Sequence, residues 1–195
     1  MRDVEAIEQV VVKERQYRVR HADRELAGCY WEDATVTTSW QTGPVSTFVG
    51  RQPAEMGDGL PIVGRSSTPL VHLRTATRAY VELPTICDYW EIVNGTEAVL
   101  ESFMRLIYRV ERRGGVWTIA NMLSMYESDK LAPAVPGTDL RIDPADLEGL
   151  RHPYRFLAYT RLAAGGQIGQ DLLGIDRPDD IARVYADAEA WCADS

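Results

Sequence analysis

The sequence predicts an α+β fold: a curled antiparallel sheet, a cone-shaped half-barrel, packed on N-terminal helices and followed by C-terminal helices. Three observations predict it. Large side chains alternate through residues 80–129, as in Val81, Leu83, Thr85, Cys87 and Tyr89, and again in Leu100, Met104, Leu106 and Tyr108. Asn94-Gly95 and Gly114-Gly115 interrupt that run, each supplying two residues tolerant of the positive φ that a tight hairpin between right-twisted strands needs. At the N-terminus Val4, Ile7, Val11 and Tyr17 recur at helical spacing, with Val10 widening the stripe. Strands this long twist and curl, and a helix laid across the concave face makes a lidded pocket.

The remaining elements follow in order. Asp3 is a candidate cap for the first helix, and Asp23 for a short second one that runs through Leu26 and Ala27 and weakens at Gly28. Residues 34–40, rich in Thr and Val, read as the first strand, and residues 45–49 as a short second one. The Gly, Pro and Ser content of residues 53–69 predicts a loop with at most a short helix. Sheet resumes at residues 70–75 and continues from Tyr80 to the end of the meander. Residues 132–137, Ala-Pro-Ala-Val-Pro-Gly, mark a boundary, which divides the chain into an α+β barrel domain over 1–135 and a helical extension over 136–195 packed on it. In that extension Asp143-Pro144 opens a short helix and residues 154–162 form a second. Pro178 starts a third, whose Ile181, Val184, Tyr185, Ala188 and Trp191 share a face.

Composition limits the function. With 195 residues, 45% hydrophobic and 26% charged, the chain suits one sizeable core plus an appendage. A net charge of −8 disfavours nucleic acid and anionic membrane as partners, since both reward basic patches. The three cysteines lie far apart without metal-ligand spacing, so reduced thiols, no structural metal and a cytoplasmic location are expected. The Asn94-Gly95-Thr96 sequon reads as a hairpin turn. No phosphate-cradling glycine loop, nucleophile elbow or metal-spaced cluster is present in the sequence, and no cofactor is expected.

Several motifs follow in a particular order: Asp23-Arg24-Glu25-Leu26 leading to Cys29-Tyr30 and Asp33-Ala34, then His72, then Gly115-Val116-Trp117-Thr118-Ile119, then Ser128-Asp129-Lys130-Leu131. This order resembles the SnoaL-like branch of the nuclear transport factor two superfamily, also called cystatin-like, over roughly residues 3–135. The tail, with Tyr154-Arg155-Phe156-Leu157-Ala158-Tyr159 and Gly174-Ile175-Asp176-Arg177-Pro178, resembles an extension found on some of its members. The resemblance implies a homodimer and a pocket for a hydrophobic small molecule. Its enzymes, among them isomerases, dehydratases and polyketide cyclases, move protons without a cofactor, and other members only bind.

The resemblance also marks candidate residues. A histidine at the position of His72 faces the pocket in the dehydratases, and imidazole exchanges protons near neutral pH. The aspartate that orients it there is replaced here by Arg20, and small polar groups on the scytalone dehydratase meander correspond to Met104 and Leu106. These departures move weight from a dehydratase towards an isomerase, cyclase or lyase acting on a polyketide-, terpenoid- or steroid-like skeleton, or towards a non-catalytic binding or assembly module. The catalytic candidates are His72, Tyr30 and Asp33. The candidate substrate contacts are Tyr17, Trp40, Met104, Leu106, Tyr108, Trp117 and Asn121, the last read as inward because it shares the parity of Trp117 and Ile119.

Overall fold

The computed structural model describes residues 3–52 and 62–193. Helix α1 spans Asp3–Val19 and α2 spans Asp23–Ala27. Strand β1 (Tyr30–Thr37) and the short β2 (Thr42–Pro44) follow, and residues Val45–Thr47 form a single 3₁₀ turn where a strand was expected. Beyond the undescribed residues come β3 (Ile62–Ser66), β4 (Leu70–Leu73), β5 (Arg78–Val93), β6 (Thr96–Arg113) and β7 (Val116–Pro133). Helices α3 (Arg155–Ala163) and α4 (Pro178–Ala193) close the described chain.

The three long strands form the predicted meander, with Val93 opposite Thr96 and Arg113 opposite Val116 across the turns. Their turn residues carry the positive φ that the dipeptides announced: 50° and 82° at Asn94 and Gly95, 58° and 86° at Gly114 and Gly115. The sheet runs β2-β1-β7-β6-β5-β3, with β4 also paired to β5; it is mixed because β1 lies parallel to β7, and unclosed because β2 and β3 at its two edges do not pair. Part of the segment read as a loop is strand. Residues 62–66 pair with residues 85–89 of β5, whose free edge offers a ladder that local Gly and Ser content does not exclude; residues 53–61 lie outside the described residues.

Two β-bulges give the sheet its curl. Ala120 and Glu127 of β7 are extra residues with no partner on β6, at the register shifts beside Val110 and Met104. A bulge bends its strand and increases local twist. Helix α1 crosses the concave face, where Ile7 and Val11 are completely buried against Leu83, Leu100 and Leu106 in one core. Each such side chain contributes roughly 1.5–3 kcal/mol of burial. Asp3 accepts the indole N–H of Trp117 at 3.1 Å, and the cap position of α2 falls on Ala22 rather than Asp23.

The C-terminal helices pack on different parts of the sheet. Asp129 on β7 receives the backbone N–H of Leu157 at 2.8 Å, which anchors the start of α3. Helix α4 lies on the outer, convex face, where Ala188 and Cys192 pack on Tyr80 and where Tyr80 and Arg74 both bond Glu189. It therefore does not lie over the mouth of the cone.

Candidate functional site

The concave side of the sheet and the second half of α1 line a cleft that opens to solvent. Trp40, Phe48, Met104, Met122, Tyr89 and Tyr126 supply its apolar and aromatic wall. Trp40 stacks on Phe48 with ring centroids 5.9 Å apart, and Tyr30 meets Phe48 edge-on from behind. Burial pushes the Tyr89 and Tyr126 phenols above their ordinary range, so both stay protonated as donors.

The cleft also holds basic side chains: Arg15 and Arg18 on α1 and Arg161 on α3 line it, as does His21, in the turn after α1 with φ 52°. No aspartate or glutamate lines it among the described residues.

A buried polar cluster holds Arg15 in place. Glu14 is completely buried and accepts hydrogen bonds from the hydroxyls of Tyr30 and Tyr108, each at 2.9 Å, and from two N–H groups of Arg15. A buried carboxylate needs this many donors to offset its lost hydration. Burial and the adjacent Glu14 push the Tyr30 phenol well above its usual range; burial and Glu14 also raise Tyr108, against the opposing effect of Arg15. Burial alone would weaken the Arg15 charge, but Glu14 and the two phenols keep it firmly protonated. Arg18 lies flat over Phe48 at 4.3 Å and donates to the Phe48 carbonyl oxygen at 3.3 Å. Burial and the neighbouring Arg15 both press its pKa down. Arg161 donates to the carbonyl and hydroxyl oxygens of Ser39, both at 3.0 Å, which ties α3 to the wall.

Of the residues read from sequence, Trp40 and Met104 line the cleft. Tyr30 and Tyr108 lie behind it with their hydroxyls committed to Glu14. Leu106 is core, and Tyr17 packs against the same core from α1. Trp117 closes the far end of the cone against Asp3. Three residues lie elsewhere. Asp33 is exposed and bonds Arg113 at 2.8 Å, which lowers its pKa. Asn121 faces outward and donates to Thr35 Oγ1 at 2.9 Å: the bulge at Ala120 reverses the parity of β7, so Met122, Ser124 and Tyr126 face the cleft instead.

His72 is on the outer face. It stands opposite Tyr80 on β5, stacks on that ring at 4.2 Å, and pairs through Nε2 with Glu82 at 2.9 Å. Strand parity explains the placement, since Val71 opposite Val81 takes the inward position. Glu82 is also bonded by Arg105 and Tyr185; burial opposes its ionisation, but these three partners together outweigh burial and lower its pKa. Arg105 bridges Glu82 and Glu127, at 2.8 and 3.0 Å.

The residues that the sequence reading passed over are the arginines. Arg15 and Arg18 follow Val11 at spacings of four and seven, so they prolong the buried stripe of α1, and charge on an apolar stripe was the available signal. Arg161 carried no such local sign. Among the described residues no group of three or more His, Cys, Asp or Glu side chains converges to hold a metal ion, and no helix is long and apolar enough to cross a membrane.

Solved structures share this architecture. A scytalone dehydratase candidate from Novosphingobium aromaticivorans superposes with a TM-score of 0.51 at 13% identity, covering 71% of this chain and 95% of its own. LinA gives 0.51 at 13% identity over 72% of this chain and 95% of its own. A nuclear transport factor two-like protein with a cystatin-like fold, also from N. aromaticivorans, gives 0.50 at 15% identity, with 63% and 80% covered. The fold is nuclear transport factor two-like. At these identities the likeness speaks for the fold alone. Two fungal proteins are more similar in sequence. A PEP2-like protein of Fusarium vanettenii is 30% identical over 148 residues, 71% of this chain and 64% of its own length. An uncharacterised protein of Emericella nidulans is 29% identical over 163 residues, 75% of this chain and 68% of its own. The match thus spans about two thirds of each relative. No family model matches the chain.

Proposed function

We propose that the cleft binds a flat, hydrophobic metabolite and turns it over by cofactor-independent proton transfer, as an isomerase, cyclase or lyase of SnoaL-like type in secondary metabolism. The observation that carries this reading is the joining of an aromatic and thioether wall to guanidinium groups in the same cleft. The wall takes the apolar body, while the arginines stabilise negative charge that develops on a substrate oxygen when a proton leaves carbon. His21, at the cleft, is the group placed to exchange that proton. The extension over 136–195 belongs to the site through Arg161. A homodimer in the cytoplasm is part of the proposal, supported by the apolar strip of Ile86, Trp90 and Ile92 on the outer side of β5, of which Ile86 and Ile92 are exposed.

A specific observation favours a second reading, a non-catalytic binding module. Among the described residues the cleft presents no carboxylate, and the phenols of Tyr30 and Tyr108 are bound to Glu14. Incubation with candidate metabolites followed by mass spectrometry separates the two: product formation lost in His21→Ala supports the enzyme, and retention of ligand without product supports the binder. Binding itself is checked by calorimetry with 2-naphthalenemethanol. Met104→Trp, which fills the cleft, abolishes the signal if the ligand sits there, and an unaltered affinity in that variant refutes the location.

A further inference from the structure

We infer that the natural ligand of the cleft carries an oxyanion, a carboxylate or a phosphate monoester attached to its apolar body, and that Arg18, with Arg15 beside it, receives this group. The inference rests on the cleft being the binding site and adds the charge of what it binds.

Three observations lead to it. The first is a charge imbalance at the wall. Arg15 is matched by Glu14, and Arg161 lies near Glu91, whose pKa burial raises against the pull of that guanidinium. Among the described residues Arg18 forms no ion pair: its guanidinium bonds the neutral Phe48 carbonyl, and Glu14, whose charge also favours its protonation, is already paired with Arg15. In a chain of net charge −8, a pocket whose described lining holds three arginines and no carboxylate is not explained by composition.

The second observation is the proximity of two like charges. Arg15 and Arg18 are three residues apart on one helix, hence on one face. Each is partly buried, and Arg15 presses the Arg18 pKa down, a cost that a bound anion between them removes. The third is the remaining donor geometry. Arg15 uses Nε and one terminal nitrogen on Glu14, and Arg18 uses one terminal nitrogen on Phe48. Arg15 also reaches Tyr108, which leaves the remaining N–H groups of Arg18 as the ones best placed for oxygen atoms, and a planar fork of this kind suits carboxylate and phosphate. The Glu14, Tyr30 and Tyr108 cluster fixes the Arg15 fork, and the Phe48 ring fixes that of Arg18, so little order is lost when an anion arrives.

The test compares three probes with one ring system: 2-naphthoate, 2-naphthyl phosphate and the neutral 2-naphthalenemethanol, by calorimetry on the full chain at low and high salt. At least one anionic probe binds about tenfold more tightly than the alcohol, the discrimination that one charge-assisted hydrogen bond supplies. The stronger of the two acids identifies the carboxylate or the phosphate. The preference shrinks with added salt and vanishes in Arg18→Met, while Arg18→Lys, which keeps the charge, retains several-fold. Taking the ratio of probes within each variant separates charge recognition from any general loss of fold. Binding of the alcohol without preference for either acid overturns this inference and leaves the cleft as a neutral binding site. Preference that survives in Arg18→Met overturns the assignment to Arg18. Failure of all three probes to bind removes the binding site and the inference with it.

Discussion

Replacing Glu14 tests the cluster that holds Arg15 at the cleft. Its carboxylate is completely buried and accepts from Tyr30, Tyr108 and Arg15 together. Glu14→Ala leaves a largely buried guanidinium without its partner and two buried phenols without acceptors. Removing one member of a buried ion pair costs about 3–5 kcal/mol. The phenols add roughly 1 kcal/mol or more each where no water reaches them. An overall destabilisation of about 5 kcal/mol is therefore expected, a fall of roughly 10–20 °C in melting temperature for a chain of this size. Glu14→Gln keeps the shape and one acceptor and costs about half as much, on the order of 2 kcal/mol. Urea titration followed by tyrosine and tryptophan fluorescence measures both. A double-mutant cycle gives the sharper check: Tyr108→Phe costs about 1–2 kcal/mol in the parent and almost nothing once Glu14 is alanine. Strict additivity, or a Glu14→Ala cost below about 1 kcal/mol, refutes the picture of a carboxylate that organises the site.

Two further predictions concern groups outside the cleft. Burial raises the Asp129 carboxyl to about 6, against the backbone donors at the start of α3. Because this folded value lies above the ordinary 3.8, the folded chain holds the extra proton between those limits, and the Asp129 contribution declines as pH rises from about 4 to about 6. Relative to the parent, Asp129→Asn, which keeps an acceptor for Leu157, loses this slope and gains on the order of 3 kcal/mol above pH 6; parallel denaturation curves at pH 4 and pH 7 show the difference, and an equal offset at both contradicts it. His72→Ala removes the partner of Glu82 and the ring stacked on Tyr80. It lowers stability by about 1 kcal/mol and leaves ligand affinity and turnover unchanged, whereas a loss of turnover would return His72 to the chemistry.

The fold was legible where local chemistry and global structure agree. Both turn dipeptides are glycine-bearing and solvent-facing, so nothing distant competes with their preference for positive φ. The stripe of Ile7 and Val11 has one period and one face to bury. Strand β3 was hidden because its pairing energy comes from β5, some twenty residues further along, and its own composition is that of a loop. Much of the cleft was hidden for a related reason. Alternation assigns faces only while the register is unbroken, and one inserted residue reverses every later assignment. Asn121 was misplaced by that reversal. His72 was carried inward by the resemblance, although its neighbour Val71 also had a claim to the inward position. Arg161 reaches the cleft through its tie to Ser39, a separation of 122 residues that no local pattern expresses.

The two unpaired residues of β7 also determine how this interior can change. Removing Ala120 alone would join Ile119 directly to Asn121, so the pairing with Val110 and Arg109 would run on without a break and Met122, Ser124 and Tyr126 would keep facing the cleft. What such a deletion takes away is the bend, so it flattens the sheet there and alters the curvature of the cleft while leaving its lining in place. Length differences between relatives at this point therefore report on the shape of the cavity rather than on the identity of its walls.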